Sequence, residues 1–182
     1  MNSYLLKNGC TLETRKAKGT DAASILAYLK IVGKESGNLT FGEEGIPLTL
    51  EQEIETIEKM ANHPTSAMIV AFIDNEIAGL ASIGGSLRER LKHGADLGIS
   101  VQKKFLHLGV GKALMQEIIN FAKSTNILTA LHLHVRVDNI HAIELYRKFG
   151  FEEFGVFPKQ IRIDGVYYDT LMMNLDLEQN QK

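Results

Sequence analysis

Hydrophobic and polar positions change their period several times along the chain, and each change predicts an element. Residues 10–17 (CTLETRKA) alternate weakly and predict a first strand. From Asp21 onward, Ala22, Ile25, Leu26 and Leu29 fall on one helical face, so a helix follows. Residues 35–48 are rich in glycine and acidic groups and read as a loop. Thr49, with Gln52 three positions on, has the form of a capping box and opens a second helix through Ile54, Ile57 and Met60.

The apolar run 66–73, the Asp74-Asn75 turn and the run 76–84 predict a hairpin. A polar connection over 85–93 leads to a strand at 95–101. Then comes a helix from about Gly109 to Lys123, with Val110, Leu114, Ile118 and Phe121 at helical spacing. In 129–137, Leu131, Leu133, Val135 and Val137 alternate as one face of a strand. A short helix over 140–149 follows Asn139. Two strands at about 152–163 and 166–177, joined by Asp164-Gly165, close the pattern.

The predicted order is β-α-α-β-β-β-α-β-α-β-β. Hairpins mixed with helical crossovers make this an α/β chain of the α+β kind, built on a mixed sheet rather than a doubly wound parallel one. With three prolines, no repeat and no linker-like tract, one domain spanning 1–182 is expected, its core at about 10–177.

Composition narrows the function. Among 182 residues the formal net charge is -2, which argues against sequence-independent nucleic-acid binding, since that draws on many phosphate contacts from Lys and Arg. Arg88-Glu89-Arg90 reads as a solvated connection. No apolar run reaches bilayer length, and MNSYLLKNGC lacks the apolar core of a secretory signal. A cytoplasmic location with no membrane partner is therefore expected. The lone cysteine, Cys10, excludes an intramolecular disulfide and a cysteine-based zinc site. His132 and His134 share a strand face, but no third ligand is evident, and no metal is expected.

The segment SVQKKFLHLGVGKALMQEII carries the first chemistry. A strand ends near Val101, and His107-Leu108-Gly109-Val110-Gly111-Lys112 then leads into an amphipathic helix. The unpaired N–H groups and positive dipole end of a helix start attract anions, and glycines let phosphate oxygens approach the backbone. Lys112 could add charge. The spacing is not that of a Walker A loop, and Leu114 stands where a dinucleotide fingerprint has its third glycine. Taken alone, the two glycines could equally serve tight packing.

The second half adds Asn139-Ile140-His141-Ala142-Ile143-Glu144-Leu145-Tyr146-Arg147-Lys148-Phe149-Gly150-Phe151. Asn139 is placed as an N-cap and Gly150 as a C-cap, with Ala142, Ile143, Tyr146 and Phe149 on one stripe. Together, residues 95–122 and 131–151 resemble the GCN5-related N-acetyltransferase family, and so does the element order over about 10–177. The terminal hairpin QIRIDGVYYDTLMMNL looks like that of many bacterial members.

The resemblance implies acetyl-CoA bound in an opening between parallel strands 95–101 and 131–137. It implies a pantetheine arm along Ile99, Ser100 and Val101. The pyrophosphate would sit on His107, Leu108, Gly109, Val110, Gly111 and Lys112. Asn139 and Ala142 would lie against the CoA arm, and Tyr146 near the sulfur. The family motif usually starts with Gln or Arg where this chain has Leu106, so Lys103, Lys104 or Lys112 is expected to supply charge.

The implied reaction is direct acetyl transfer to a primary amine: a small molecule, or a protein N-terminus or lysine. A backbone N–H at the splayed end of strand 95–101 would meet the oxyanion. Tyr146 would be the general acid, since a phenol (pKa ~10) can give a proton to a departing thiolate. Asp96 would be a base, acting through water, or simply a solvated carboxylate. Glu43 and Glu44 would recognise a cationic acceptor, or simply form a solvated turn. Asp169 and Tyr168 are further acceptor-site candidates. Competing readings are a non-catalytic acetyl-CoA sensor and a nucleotide-phosphate enzyme. A homodimer is the expected assembly, as the commonest among soluble oligomers.

Overall fold

The computed structural model describes residues 1–178. Its strands are β1 (Asn2–Leu5), β2 (Thr11–Lys16), β3 (Ala67–Ile73), β4 (Glu76–Gly85), β5 (Gly94–Val101), β6 (Ala130–Arg136), β7 (Glu152–Ile163) and β8 (Val166–Asp176). Its helices are α1 (Ala22–Glu35), α2 (Leu50–Asn62), α3 (Val110–Ser124) and α4 (Ile140–Lys148), with single 3₁₀ turns at Gly19–Asp21 and Lys103–Phe105. The strands form one sheet in the order β1-β2-β3-β4-β5-β6-β8-β7. Every neighbouring pair is antiparallel except β5–β6. The mixed sheet matches the sequence expectation.

Strand β1 is the departure from the expected order. It pairs with β2 from Asn2↔Thr14 to Leu5↔Thr11. Four residues, none of them buried, leave no alternation to read, so its existence rests on β2 offering an edge. Val137 is the second departure: the strand ends at Arg136, and Val137 is 41% exposed.

Both turn signals act as the sequence suggested. Asp74 and Asn75 have φ of 50° and 64°, and Asp164 and Gly165 have 49° and 84°. Those values suit the right-handed twist of the strands they join. The capping box on α2 also forms: Gln52 N–H donates to Thr49 Oγ1 at 3.3 Å, and Thr49 N–H donates to Gln52 Oε1 at 2.9 Å. Asp21 is used differently. Its carboxylate makes no cap bond to α1. It takes Arg15 Nη1 and Nη2 at 2.6 and 2.8 Å and Lys18 N–H at 2.8 Å, and the Arg15 contact holds it below the usual carboxylate range.

A core lies on each side of the sheet. On one side Val110, Leu114, Met115 and Ile118 of α3 pack with Leu131, Leu133, Met173 and Leu175 of the sheet. On the other, Ile25, Tyr28, Leu29 and Val32 of α1 and Ile57 of α2 cover Val70, Ile77 and Leu80. Each fully buried aliphatic side chain contributes ~1.5–3 kcal/mol.

Glu53 interrupts this pattern. It is 2% exposed, and its Oε1 has no hydrogen-bond partner. Burial raises its pKa, so the folded state prefers the neutral acid. The cost of its charge is absent below the unfolded-state pKa, sets in as pH rises through it, and is complete above the raised folded value. Glu53→Gln is therefore expected to stabilise by about 1 kcal/mol at pH 8 and by almost nothing at pH 4, as read by denaturant midpoints at the two pH values. Equal effects at both would show that the charge is not the cause.

Candidate active site

The site begins where the sheet comes apart. Strands β5 and β6 pair only through Gly94↔Ala130, Ala95↔Leu131 and Asp96↔His132. Beyond that point β5 stays bonded to β4 as far as Gly79↔Val101, and β6 to β8 as far as Arg136↔Thr170. The sheet therefore forks, with Leu97–Val101 on one prong and Leu133–Arg136 on the other.

Side-chain alternation gives the two faces of the fork different characters. Ala95, Leu97, Ile99 and Val101 of β5 and Leu131, Leu133 and Val135 of β6 turn toward α3. Asp96, Gly98 and Ser100, and likewise His132, His134 and Arg136, turn toward the α1 side. Ser100 confirms the direction: its Oγ lies 3.0 Å from the Tyr28 hydroxyl of α1. Ile99 and Val101 thus share one face, and Ser100, grouped with them by sequence, reaches the other.

Two helix N-termini flank the mouth on the α3 side. The N-cap of α3 is Gly109, with φ 112° and ψ -1°. This is left-handed backbone that glycine adopts without strain. His107 also has positive φ, 63°. The N–H groups of Val110, Gly111 and Lys112 open the helix and have no carbonyl four residues back within it. Helix α4 starts beside it: the His107 and His141 rings meet edge-on at 5.4 Å. A Cβ at Gly111 would lie 3.4 Å from Leu145 Cδ2 and 3.8 Å from Val101 Cγ2, so α3, α4 and β5 converge there. Asn139 caps α4 through Oδ1, which accepts from Ala142 N–H at 3.4 Å. That bond commits the Asn139 carbonyl oxygen to the helix.

Tyr146 projects from α4 into the α3-side core, 7% exposed, its ring 5.9 Å from that of Phe151. Burial pushes its pKa up to about 12. Its hydroxyl therefore stays protonated throughout the neutral range. No hydrogen bond to the hydroxyl forms among the described residues. Asp96 is exposed at the closed end of the fork and makes no hydrogen bond or ion pair among the described residues. Of the candidate lysines, Lys104 pairs with Glu76 at 2.6 Å. The Lys103 backbone N–H donates to Glu35 Oε2 at 2.7 Å.

The α1 side is walled by the loop between α1 and α2. A Cβ on Gly33 would lie 1.9 Å from the Gly42 carbonyl oxygen, so helix and loop touch through bare backbone. Leu39 and Phe41 sink into the smaller core. Glu43 and Glu44 follow this anchored stretch, both exposed. Glu44 is partly spent on the loop itself, since its Oε1 accepts from Gly42 N–H at 2.9 Å.

Arg136, not anticipated from the sequence, ties this wall together. Its Nε and Nη2 grip Asp138 at 2.9 and 2.5 Å, and its Nη1 donates to the Gly37 carbonyl at 2.7 Å. The guanidinium lies 3.7 Å from the Tyr168 ring centroid. One side chain thus joins β6, the α1–α2 loop and the terminal hairpin, and Tyr168 enters the site as its platform. The sequence signal was a third polar residue in the alternation His132, His134, Arg136. Asp169 is used locally, accepting from Lys159 N–H at 2.8 Å. Arg136→Lys keeps the charge but loses the fork and the stacking surface. The expected result is a loss of about 1–3 kcal/mol, a several-fold higher KM for the acceptor, and an unchanged cofactor affinity. Equal KM in both proteins would separate the clamp from the site.

Among the described residues, no group of three or more His, Cys, Asp or Glu side chains is placed to hold a metal ion. Among the described residues, no helix is long and apolar enough to cross a membrane.

Residues 38–151 match the Acetyltransferase (GNAT) family. The chain is 36% identical over 116 residues to the L-amino acid N-acetyltransferase AaaT of Escherichia coli strain K12, covering 64% of this chain and 72% of that protein. It superposes on the crystal structure of a GNAT-family acetyltransferase from Streptococcus pneumoniae with a TM-score of 0.88 at 32% identity, over 91% of this chain and 98% of that one. The fold is also that of yncA from Salmonella typhimurium, solved with its cofactor acetyl-CoA, with a TM-score of 0.79 at 17% identity over 91% and 94% of the two chains. The matched span contains the α1–α2 loop from Asn38, the fork, the 107–112 turn and Asn139–Phe151, and the chain belongs to the GNAT acetyltransferase family.

Proposed function

We propose that this chain is an N-acetyltransferase that moves the acetyl group of acetyl-CoA to a primary amine by direct attack in a ternary complex. The observation that carries this reading is the fork. It is an opening through the sheet with two helix N-termini on one face and an anchored loop on the other, so a cofactor and an acceptor can meet from opposite sides.

On the α3 side, the backbone amides from His107 to Lys112 would take the diphosphate, as helix starts do. The pantetheine arm would run along Ile99, Ser100 and Val101 of β5, whose inner edge has no strand partner there. Asn139 and Ala142 at the start of α4 would border the arm. Tyr146, on the same side, is held neutral and would protonate the departing sulfur. Its raised pKa makes it a weaker acid than a free phenol. The same burial disfavours a free thiolate, so the two effects oppose each other.

The acceptor would enter on the α1 side, between the loop carrying Glu43 and Glu44 and the outward-facing residues of β6. A base on that side must take the ammonium proton, and Asp96, His132 and His134 all face it. The name of the E. coli relative points to the α-amine of an amino acid as the acceptor. Thiol release from acetyl-CoA across a panel of amino acids, polyamines and peptide N-termini tests this. Release that depends on one amine class is expected. Acetyl-CoA stabilising the fold with no release for any amine would contradict transfer and leave only binding.

A further inference from the structure

His134 is the one polar residue at the fork whose tautomer its neighbours decide. Its Nδ1 lies 3.1 Å from Oε1 of Gln160 on β7. An amide oxygen has no proton to give, so Nδ1 carries the hydrogen and donates it. The same Gln160 oxygen receives the hydroxyl of Thr170, which is buried at 1% exposure. The Phe157 ring packs edge-on against the imidazole at 6.4 Å. The other nitrogen, Nε2, therefore keeps its lone pair, and among the described residues it makes no hydrogen bond. A proton acceptor oriented by a hydrogen-bonded partner behind it is the usual construction of a general base.

Position separates His134 from its neighbours. Asp96 and His132 are the last hydrogen-bonded partners of β5 and β6, so they stand at the closed end of the fork. His134 is the next outward side chain on β6, at the edge of the gap itself. His132 is oriented differently, its Nε2 lying 3.0 Å from the Cβ direction of Gly94 at the start of β5. The other titratable or charged groups on this face of β6, β8 and β7 are Arg136, neutralised by Asp138, Tyr168 beneath it, Asp176 opposite Ala130 beyond the closed end of the fork, and Glu152, across β8 from His132. The β7 cations Lys159 and Arg162 lie over Tyr167, which alternates to the opposite face.

We infer that His134 is the general base of the reaction, with Gln160 and Thr170 as the relay that holds it. This rests on the acetyl-transfer reading above. His134 Nε2 takes one proton from the acceptor ammonium, and the freed lone pair forms the N–C bond at the thioester carbonyl. The C–S bond breaks, and the sulfur takes the Tyr146 hydroxyl proton. The nitrogen's second proton, lost as the amide forms, restores the Tyr146 hydroxyl. The proton on His134 leaves to solvent, so one amide, one thiol and one proton result.

The test is steady-state kinetics of His134→Ala, Gln160→Ala and His132→Ala over pH 6–10. Each is run with a strongly basic amine and with a weakly basic one already unprotonated at neutral pH. His134→Ala is expected to lower kcat/KM for the basic amine by ~10²-fold at pH 7. The deficit should shrink as pH rises or when the weakly basic amine is used, and added imidazole should restore part of the rate. Gln160→Ala should fall several-fold in the same pH-dependent way. A pH-dependent deficit larger in His132→Ala than in His134→Ala would move the role to that imidazole and overturn the assignment, and acetyl-CoA affinity should be unchanged in all three. A His134→Ala deficit that is absent, or equal for both amines and at every pH, overturns the assignment. A deficit of this kind in Asp96→Asn alone would give the role to that carboxylate. No thiol release by the wild-type protein would instead overturn the acetyl-transfer reading itself.

Discussion

Tyr146→Phe is expected to lower kcat by ~10²–10³-fold while changing acetyl-CoA affinity less than twofold. The split follows from where the residue sits. Its ring is packed in the α3-side core and survives the substitution, so the pocket keeps its shape and the fold keeps its stability. What is lost is one hydroxyl that has no partner within the described residues and so is not repaid by any internal bond. Steady-state kinetics paired with calorimetric titration of acetyl-CoA separate the two quantities. Because burial holds this hydroxyl protonated up to about pH 12, the wild-type rate should show no alkaline limb from it below about pH 11. A mutant with wild-type turnover would remove Tyr146 from the chemistry.

Gly109→Val should have the other large effect, on binding. At φ 112° a β-branched residue is strained by ~1–3 kcal/mol, and the turn relaxes to avoid that cost. The strain is purely local: a Cβ there meets only Leu6 Cδ2, at an ordinary 3.7 Å. The protein should therefore fold, with a lower Tm, while its acetyl-CoA Kd rises at least ~10-fold as the amides lose their common aim. Turnover of a short acetyl thioester lacking the diphosphate should change far less. Equal losses for both donors would mean that the substitution damages the fork and not a phosphate cradle.

What the sequence made legible was local. Asp164-Gly165, Asp74-Asn75 and the Thr49–Gln52 box act through residues no more than three apart, so their chemistry determines their geometry directly. Gly109 stood out in the sequence as a glycine at a helix start, while its left-handed backbone came from the structure. The fork was reachable only through family resemblance, because nothing in residues 94–101 or 130–136 says that hydrogen bonding stops after Asp96↔His132. The Arg136 clamp spans 99 residues to Gly37, so the alternation that sets the direction of the side chain says nothing of its partner. Asp21 marked where the first helix begins, but its carboxylate bonds to Arg15, six residues earlier on β2, and not to the α1 amides. His134 showed itself only as half of a histidine pair. Its function depends on Gln160, which the β7 irregularity between Phe157 and Ile161 brings to it.

The most direct test is a crystal structure of the protein soaked with acetyl-CoA. The account predicts diphosphate oxygens within hydrogen-bond distance of backbone N–H groups between His107 and Lys112, with the thioester lying in the gap between β5 and β6. A cofactor bound elsewhere, with that turn bare, would contradict it.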